Sequence, residues 1–161
     1  KMLVQISRAK KILELGTFTG ASALAMAEVM PIDGTITTVD IEQKDMAMTA
    51  WEKSGVLSKI FPIRGDAKAI LEHLNFNGGF DLAFIDADKE SYPTYWELVV
   101  PKVRHGGIIV ADDTLREGRI IHPHREDDKA MDRFNRTVAE DSRVDVIILP
   151  VGDGVTVAVK K

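Results

Sequence analysis

Seven short runs rich in Val and Ile, separated by stretches of helical periodicity and closed by Gly, Asp or Asn, constrain this chain more than any other feature of its sequence. That alternation is the rhythm of βαβ units wound around a parallel sheet. The runs read as strands are Ile12 to Leu15, Thr35 to Ile41, Ile60 to Arg64, Phe80 to Ile85, Ile108 to Ala111, Val144 to Leu149 and Val155 to Val159. Between them, Ala130, Phe134 and Val138 fall at i, i+4 and i+8 with Met131 beside them, which predicts a core-facing helix. Met46, Met48, Trp51 and the neighbouring alanines are read as a second buried helix face rather than a cofactor box. Ser91 before Tyr92 and Pro93 predicts a helix start with Ser as its cap, so that Tyr95, Trp96 and Val99 line the sheet. The last two strands are joined by Val151, Gly152, Asp153 and Gly154, too short a link for a right-handed crossover, so they pair antiparallel. The expected fold class is α/β: a Rossmann-like, seven-stranded, mostly parallel sheet ending in a C-terminal antiparallel hairpin strand.

A chain of 161 residues suits one hydrophobic core that buries about 70% of the unfolded surface, so a single domain over 1–161 is expected. Lys and Arg number 21 against 25 Asp and Glu, a formal charge of −4, and no basic surplus exists to hold a phosphate backbone. Nucleic acid is therefore not an expected partner. No apolar run approaches the roughly 20 residues that span a bilayer, so no membrane is expected either. The absence of Cys excludes thiolate catalysis and Cys-ligated zinc and fits a cytoplasmic setting. The chain opens on Lys1, and upstream residues, with any targeting signal, are expected to have been removed.

The first strand runs straight into Gly16, Thr17, Phe18, Thr19 and Gly20, and then into a helix over 21–30. Unpaired N–H groups and the dipole at such a helix start favour an anionic group. The spacing is GxxxG, not the dinucleotide GxGxxG, and the glycines alone fit a sharp βα turn equally well. Asp40 ends the second strand 24 residues after Gly16, where a carboxylate can accept both ribose hydroxyls; the alternative is a cap for the next helix. Gly65, Asp66 and Ala67 end the third strand where an adenine would lie. The three strand ends together outline a nucleoside across the carboxyl edge of the sheet.

The fourth strand ends in Asp86, Ala87, Asp88 and Lys89, and the fifth in Asp112 and Asp113. Adjacent parallel strands lie about 4.8 Å apart, so neighbouring strands would bring these carboxylates to one rim. Two unit charges about 4 Å apart repel by roughly 4 kcal/mol at an effective dielectric near 20. A hard divalent cation such as Mg²⁺, Mn²⁺ or Ca²⁺ offsets such repulsion, whereas Lys89 neutralises only one charge. The plain alternative is that Asp88 and Asp113 face solvent and cap the following turns. His122 and His124 flank Pro123 among charged residues and read as a solvated loop, and His73 and His105 as surface or packing residues.

The strings ILELGTFTGASALAMAE, TTVDIE, FDLAFIDADKESYPTYWELVVPKVRHGGIIVADDTLREGRI and FNRTVAEDSRVDVIILPVGDGVTVAVKK resemble the cation-dependent O-methyltransferases, the family of catechol and caffeoyl-CoA O-methyltransferases and their bacterial relatives. The resemblance runs from about Lys10 to the C-terminus and implies the seven-stranded methyltransferase fold. It implies S-adenosylmethionine as cofactor, with its methionyl group near Glu14, Gly16, Thr17 and Ser22, its ribose on Asp40 and its adenine beside Asp66 and Ala67. By the same matching Asp86, Asp112 and Asp113 hold a divalent cation, Mg²⁺ before Mn²⁺ or Ca²⁺. Asp86 and Lys89 serve catalysis, Lys89 beside the reacting hydroxyl. A cation chelated by two adjacent oxygens of a small hydroxylated aromatic would acidify the hydroxyl to be methylated and align it with the sulfonium methyl, and a positioned base adds roughly 10² to 10⁴ in rate.

Two departures stand out. Asp113 replaces the family's usual Asn, adding negative charge and bearing on metal selectivity, and Arg116 followed by Glu117 stands where a tryptophan is common. Relatives also carry N-terminal helices that cover the cofactor and help form a homodimer, and Met2 to Ser7 is expected to be the remnant of the last of them. The competing readings are a NAD(P)-dependent Rossmann oxidoreductase, which lacks its glycine spacing here, and a truncated, non-catalytic cofactor-binding module.

Overall fold

Strands as apolar as the first one, buried from its second residue onward, need cover on both faces, and helices supply it on each side of one sheet. The structure is a computed structural model describing residues 1–74 and 79–161. In chain order the elements are α1 (Met2–Ser7), β1 (Lys11–Leu15), α2 (Ala21–Val29), β2 (Thr35–Asp40), α3 (Asp45–Lys53), β3 (Ile60–Arg64), α4 (Ala67–His73), β4 (Phe80–Ile85), α5 (Tyr92–Val99), β5 (Val103–Asp112), α6 (Glu126–Glu140), β6 (Val144–Leu149) and β7 (Val155–Lys160). The strands lie in the order β3-β2-β1-β4-β5-β7-β6. β1 to β5 are parallel, and β7 runs antiparallel to both β5 and β6, as the four-residue link requires.

Alternate side chains of β1 feed two separate cores. Ile12 packs with Ala23, Ala27, Ala47 and Trp51 under α2 and α3, whereas Leu13 and Leu15 pack with Tyr95, Trp96, Val99, Phe134 and Val138 under α5 and α6. The stripe predicted on α6 is buried as expected, Phe134 meeting Tyr92 and Trp96 edge-on at centroid distances of 5.4 and 5.7 Å.

Three expectations need correction. On α3 the buried face is Ala47 and Trp51, one turn apart, while Met46 and Met48 flank it at 58% and 38% exposure. Ser91 stands at the N-cap position of α5 but makes no cap hydrogen bond, because the 3₁₀ turn Lys89–Ser91 leads into the helix and leaves Ser91 itself in helical geometry. Its hydroxyl is instead within 3.2 Å of Lys68 Nζ. β5 begins five residues before the predicted strand, since Gly106 (φ 71°) and Gly107 interrupt the apolar pattern where the pairing with β4 shifts register.

Sheet order reverses between β1 and β4: the chain winds outward to β3, then returns past β1 to start β4. At that switch point the loops after β1 and β4 diverge and leave a crevice at the carboxyl edge.

Candidate functional site

The crevice is built first by a glycine. Gly16 leaves β1 at φ 94°, and a Cβ there would lie 2.0 Å from the Asp86 carbonyl oxygen, so the β1 and β4 exits approach as closely as only glycine permits. Gly20, at φ 76°, starts α2 against the Trp51 ring, and its carbonyl accepts a 2.9 Å hydrogen bond from Trp51 Nε1. Asp40 fastens the turn between them. Its Oδ2 accepts from the backbone N–H groups of Thr17 and Phe18 at 2.8 and 2.9 Å, and its Oδ1 accepts from that of Glu42 at 3.1 Å. Burial pushes the Asp40 carboxyl up, but backbone donors at Phe18, Glu42, Thr17 and Ile41 together outweigh it and hold the group below its ordinary value. Asp40 is not a helix cap, because α3 starts only at Asp45 with Lys44 at the N-cap position.

A cavity of about 410 Å³ opens over this turn, bounded by Gly16, Phe18, Val39, Asp40 and Ile41 on one side, Gly65, Asp66, Ala67 and Lys68 on another, and Asp86, Ala87, Asp88 and Tyr95 on the third. Four residues assigned to the cofactor from sequence, Gly16, Asp40, Asp66 and Ala67, thus share one cavity with Asp86. Asp66 also caps α4, accepting from the Lys68 N–H at 2.8 Å. Thr17, Ser22 and Glu14 do not border it. Ser22 lines a separate cavity of about 270 Å³ beside α1, with Met26, Leu82 and Phe84. Glu14 is fully buried beneath the turn: its Oε2 accepts from Thr38 Oγ1 at 2.5 Å, while Oε1 has no hydrogen-bond partner among the described residues. Burial pushes this carboxyl up to about 7, against the pull of the Ser22 and Thr38 hydroxyls and with the charges of Asp86 and Asp40 adding to the rise.

The acidic rim follows from register. Ile85 pairs with Ala111, so Asp86 and Asp112 leave adjacent strands side by side, and Asp113 follows at φ 59°. Lys89, only 12% exposed, reaches into the group: Nζ lies 2.7 Å from Asp86 Oδ1, 3.3 Å from Asp113 Oδ2 and 3.4 Å from the Asp112 carbonyl. Its remaining partner is the Tyr92 hydroxyl at 2.6 Å, and Tyr92 gives its one proton to the carbonyl of Ile85 or of Asp112, each 3.0 Å away. Burial pushes the Asp112 carboxyl above its ordinary value; the Asp113 N–H pulls it back and the charges of Asp113 and Asp86 push it further up. Burial, then the same three carboxylates, raise the Tyr92 hydroxyl well above its ordinary range. Among the described residues no three acidic, His or Cys side chains stand together as a formed metal cage. The chemistry of the donor set nonetheless suits a hard cation, since Lys89 pairs with the Asp86 and Asp113 carboxylates while the Asp112 carboxyl on the neighbouring strand end feels the charge of both.

Sequence reasoning missed Tyr92, whose signal was its position three residues after Lys89, and Tyr95, which donates to Asp88 Oδ1 at the cavity wall. It also missed Phe18, 65% exposed with Lys44 Nζ 4.4 Å from its ring centroid. Arg116 turns away from the rim. Its Nη2 donates to Asp127 Oδ2 at 2.6 Å, and Asp128, itself buried, is shared with Arg119 at 3.1 Å. The four histidines are exposed, as expected.

A family model described as O-methyltransferase matches residues 1–161. The chain belongs to that family. Among relatives of this O-methyltransferase chain are caffeoyl-CoA O-methyltransferase 1 of Zea mays, 39% identical over 172 aligned positions that cover 96% of this chain and 66% of that protein, and the Stellaria longipes caffeoyl-CoA O-methyltransferase, 38% identical with 96% and 69% covered. The chain therefore spans about two thirds of the length of such relatives. Among solved structures, the O-methyltransferase from Bacillus cereus in complex with SAH superposes with a TM-score of 0.91 at 31% identity, covering 99% of this chain and 78% of that one. TomG from Streptomyces achromogenes, an O-methyltransferase of tomaymycin synthesis in complex with SAM, gives 0.92 at 29%, with 99% and 77% covered. The seven-stranded O-methyltransferase fold expected from sequence is the fold observed, and the oxidoreductase alternative is set aside. Among the described residues no helix is long and apolar enough to cross a membrane.

Proposed function

We propose that this chain is the methyl-transferring core of an S-adenosylmethionine-dependent O-methyltransferase that uses a divalent cation and methylates a hydroxyl of a small catechol-like aromatic. The observation that carries the reading is the meeting of Asp86, Asp112 and Asp113 around Lys89 at the mouth of the cavity framed by Gly16 and Asp40. Asp40 would hold the ribose, the Asp66–Ala67 turn the adenine, and the turn after Gly16 the methionyl group, with Thr17, Ser22 and Glu14 supporting it from behind. Asp86, Asp112 and Asp113 would hold the cation, Mg²⁺ before Mn²⁺ or Ca²⁺. When bound, that ion acidifies a chelated hydroxyl and fixes its direction. Lys89, anchored by Tyr92 and only 12% exposed, would receive the hydroxyl proton as its neutral amine, its own proton having left to solvent when the cation takes over the carboxylates it now pairs with.

A methylation assay with a catechol panel and S-adenosylmethionine, run with and without a chelator, tests this. Transfer that stops on chelation and returns with Mg²⁺ is expected. Transfer indifferent to chelation overturns the metal role, and transfer only to acceptors without a vicinal diol overturns the acceptor class.

A further inference from the structure

Beneath the glycine turn lies a hydrogen-bond chain that the site as described leaves without a task. Thr38, fully buried on β2, donates from Oγ1 to Glu14 Oε2 at 2.5 Å on β1. The same oxygen lies 2.6 Å from Oγ1 of Thr17, 3% exposed, in the turn itself. A hydroxyl carries one proton, so the direction of the chain is determined by Glu14. With Glu14 ionised, Thr38 must donate to the carboxylate and Thr17 must donate to Thr38. With Glu14 protonated on Oε2, the acid proton goes to Thr38, Thr38 donates to Thr17, and the Thr17 proton is turned out into the loop. Thr17 is also tied at its backbone N–H to Asp40 Oδ2 (2.8 Å), so the buried chain from Glu14 and the cavity-lining Asp40 meet at one residue.

We propose that Thr38 is a positioning residue that transmits the charge state of Glu14 to the Thr17 turn, so that cofactor binding is coupled to loss of one proton from Glu14 to solvent. The inference rests on the reading that the cationic methionyl end of the cofactor lies over this turn. A cation there favours the ionised carboxylate, whose Oε1 has no hydrogen-bond partner among the described residues. The charged groups facing Glu14 from neighbouring elements are Asp86 after β4 and Asp40 after β2, and both oppose ionisation, as does burial, which together bring the free-state titration to about 7. From within the chain the Ser22 and Thr38 hydroxyls favour ionisation, and Thr38 is the one that also meets Thr17.

Calorimetric titration with S-adenosylmethionine between pH 5.5 and 8.5, in two buffers of different ionisation enthalpy, reads this directly. Affinity is expected to be flat above pH 8 and to fall about tenfold per pH unit below about 7, with about one proton released per binding event at pH 6. Thr38→Val removes the donor and should move the bend up by about one pH unit, Thr38→Ser should return it, and Glu14→Gln should flatten the curve. Circular dichroism melts establish that each variant is folded, and the Glu14→Gln curve serves as the test if Thr38→Val is not. A flat wild-type curve, or a Thr38→Val curve displaced equally at every pH, overturns the coupling while leaving the cofactor reading intact. Absence of any binding by the wild-type chain overturns both.

Discussion

The two halves of the crevice handle negative charge in opposite ways. At the β1–β2 side Asp40 is surrounded by backbone N–H donors and sits below its ordinary titration range, and Glu14 is buried under hydroxyls and pushed toward neutrality. At the β4–β5 side Asp86, Asp112 and Asp113 converge with one ammonium among them and Asp112 raised by burial and by its neighbours. In the first half the carboxylates are tied into the scaffold, Asp40 by backbone N–H groups and Glu14 by Thr38. The second is assembled by register but left with excess charge, which is the condition in which an added cation gains most.

Replacing Lys89 should separate the halves most sharply. Lys89→Met is expected to lower the rate of transfer by about 10² to 10⁴ while cofactor affinity changes far less, because Lys89 touches the acidic rim and Tyr92 but not Asp40 or the glycine turn. Single-turnover rates beside calorimetric cofactor affinities make the measurement. Equal losses in both would erase the distinction between the halves.

Gly16→Ala attacks the joint itself. A Cβ 2.0 Å from the Asp86 carbonyl, added at φ 94°, must force the β1 and β4 exits apart, at a cost of about 2 to 5 kcal/mol from strain and overpacking. A lower Tm is expected, accompanied by weakened cofactor affinity and slowed transfer alike. A variant with wild-type Tm would mean that the exits are less tightly joined than Gly16 implies.

Much of the scaffold half is legible in the sequence, and the reason is local. The Val and Ile runs mark the strands, a positive-φ turn needs Gly16, and Asp40 at the end of its run must face the crevice. What escaped depends on pairing across the sheet. Glu14 pairs with Thr38 through the β1–β2 register, and no spacing in the chain announces that. The acidic rim was legible because strand ends carry their charges with them, but Arg116 was not: a long side chain on a loop can turn either way, and α6 offered it Asp127 and Asp128. Met46 and Met48 mislead for a related reason, since a helix of nine residues needs only Ala47 and Trp51 to bury its face.

Glu14 makes a pH test of the scaffold half. Its folded-state value near 7 lies above the ordinary 4.5, so its contribution to stability is full below about 4.5 and is lost as pH rises through 7. By pH 8 the buried charge costs about 3 kcal/mol relative to low pH. Glu14→Gln should therefore raise Tm relative to the parent at pH 8 and lose that advantage toward pH 5. A Tm difference independent of pH would place Glu14's charge in contact with water or with an unrecognised cation.

Asp113→Asn tests the other half with the smallest expected effect and the clearest sign. Removing this carboxylate gives up one contact with Lys89 at 3.3 Å but also ends its repulsion with Asp112 and Asp86, and Asn tolerates the left-handed backbone at φ 59° as well as Asp does. Because the side chain is 41% exposed, solvent screens all three terms, and the net gain in stability should be under about 1 kcal/mol. The decisive feature is its dependence on ions. Melts with chelator should show the variant more stable than the parent, and saturating Mg²⁺ should reverse the order, since the cation relieves in the parent what the substitution relieves in the variant and then finds one fewer ligand. A stability difference that ignores Mg²⁺ would mean that the excess charge at this rim is not what a cation answers.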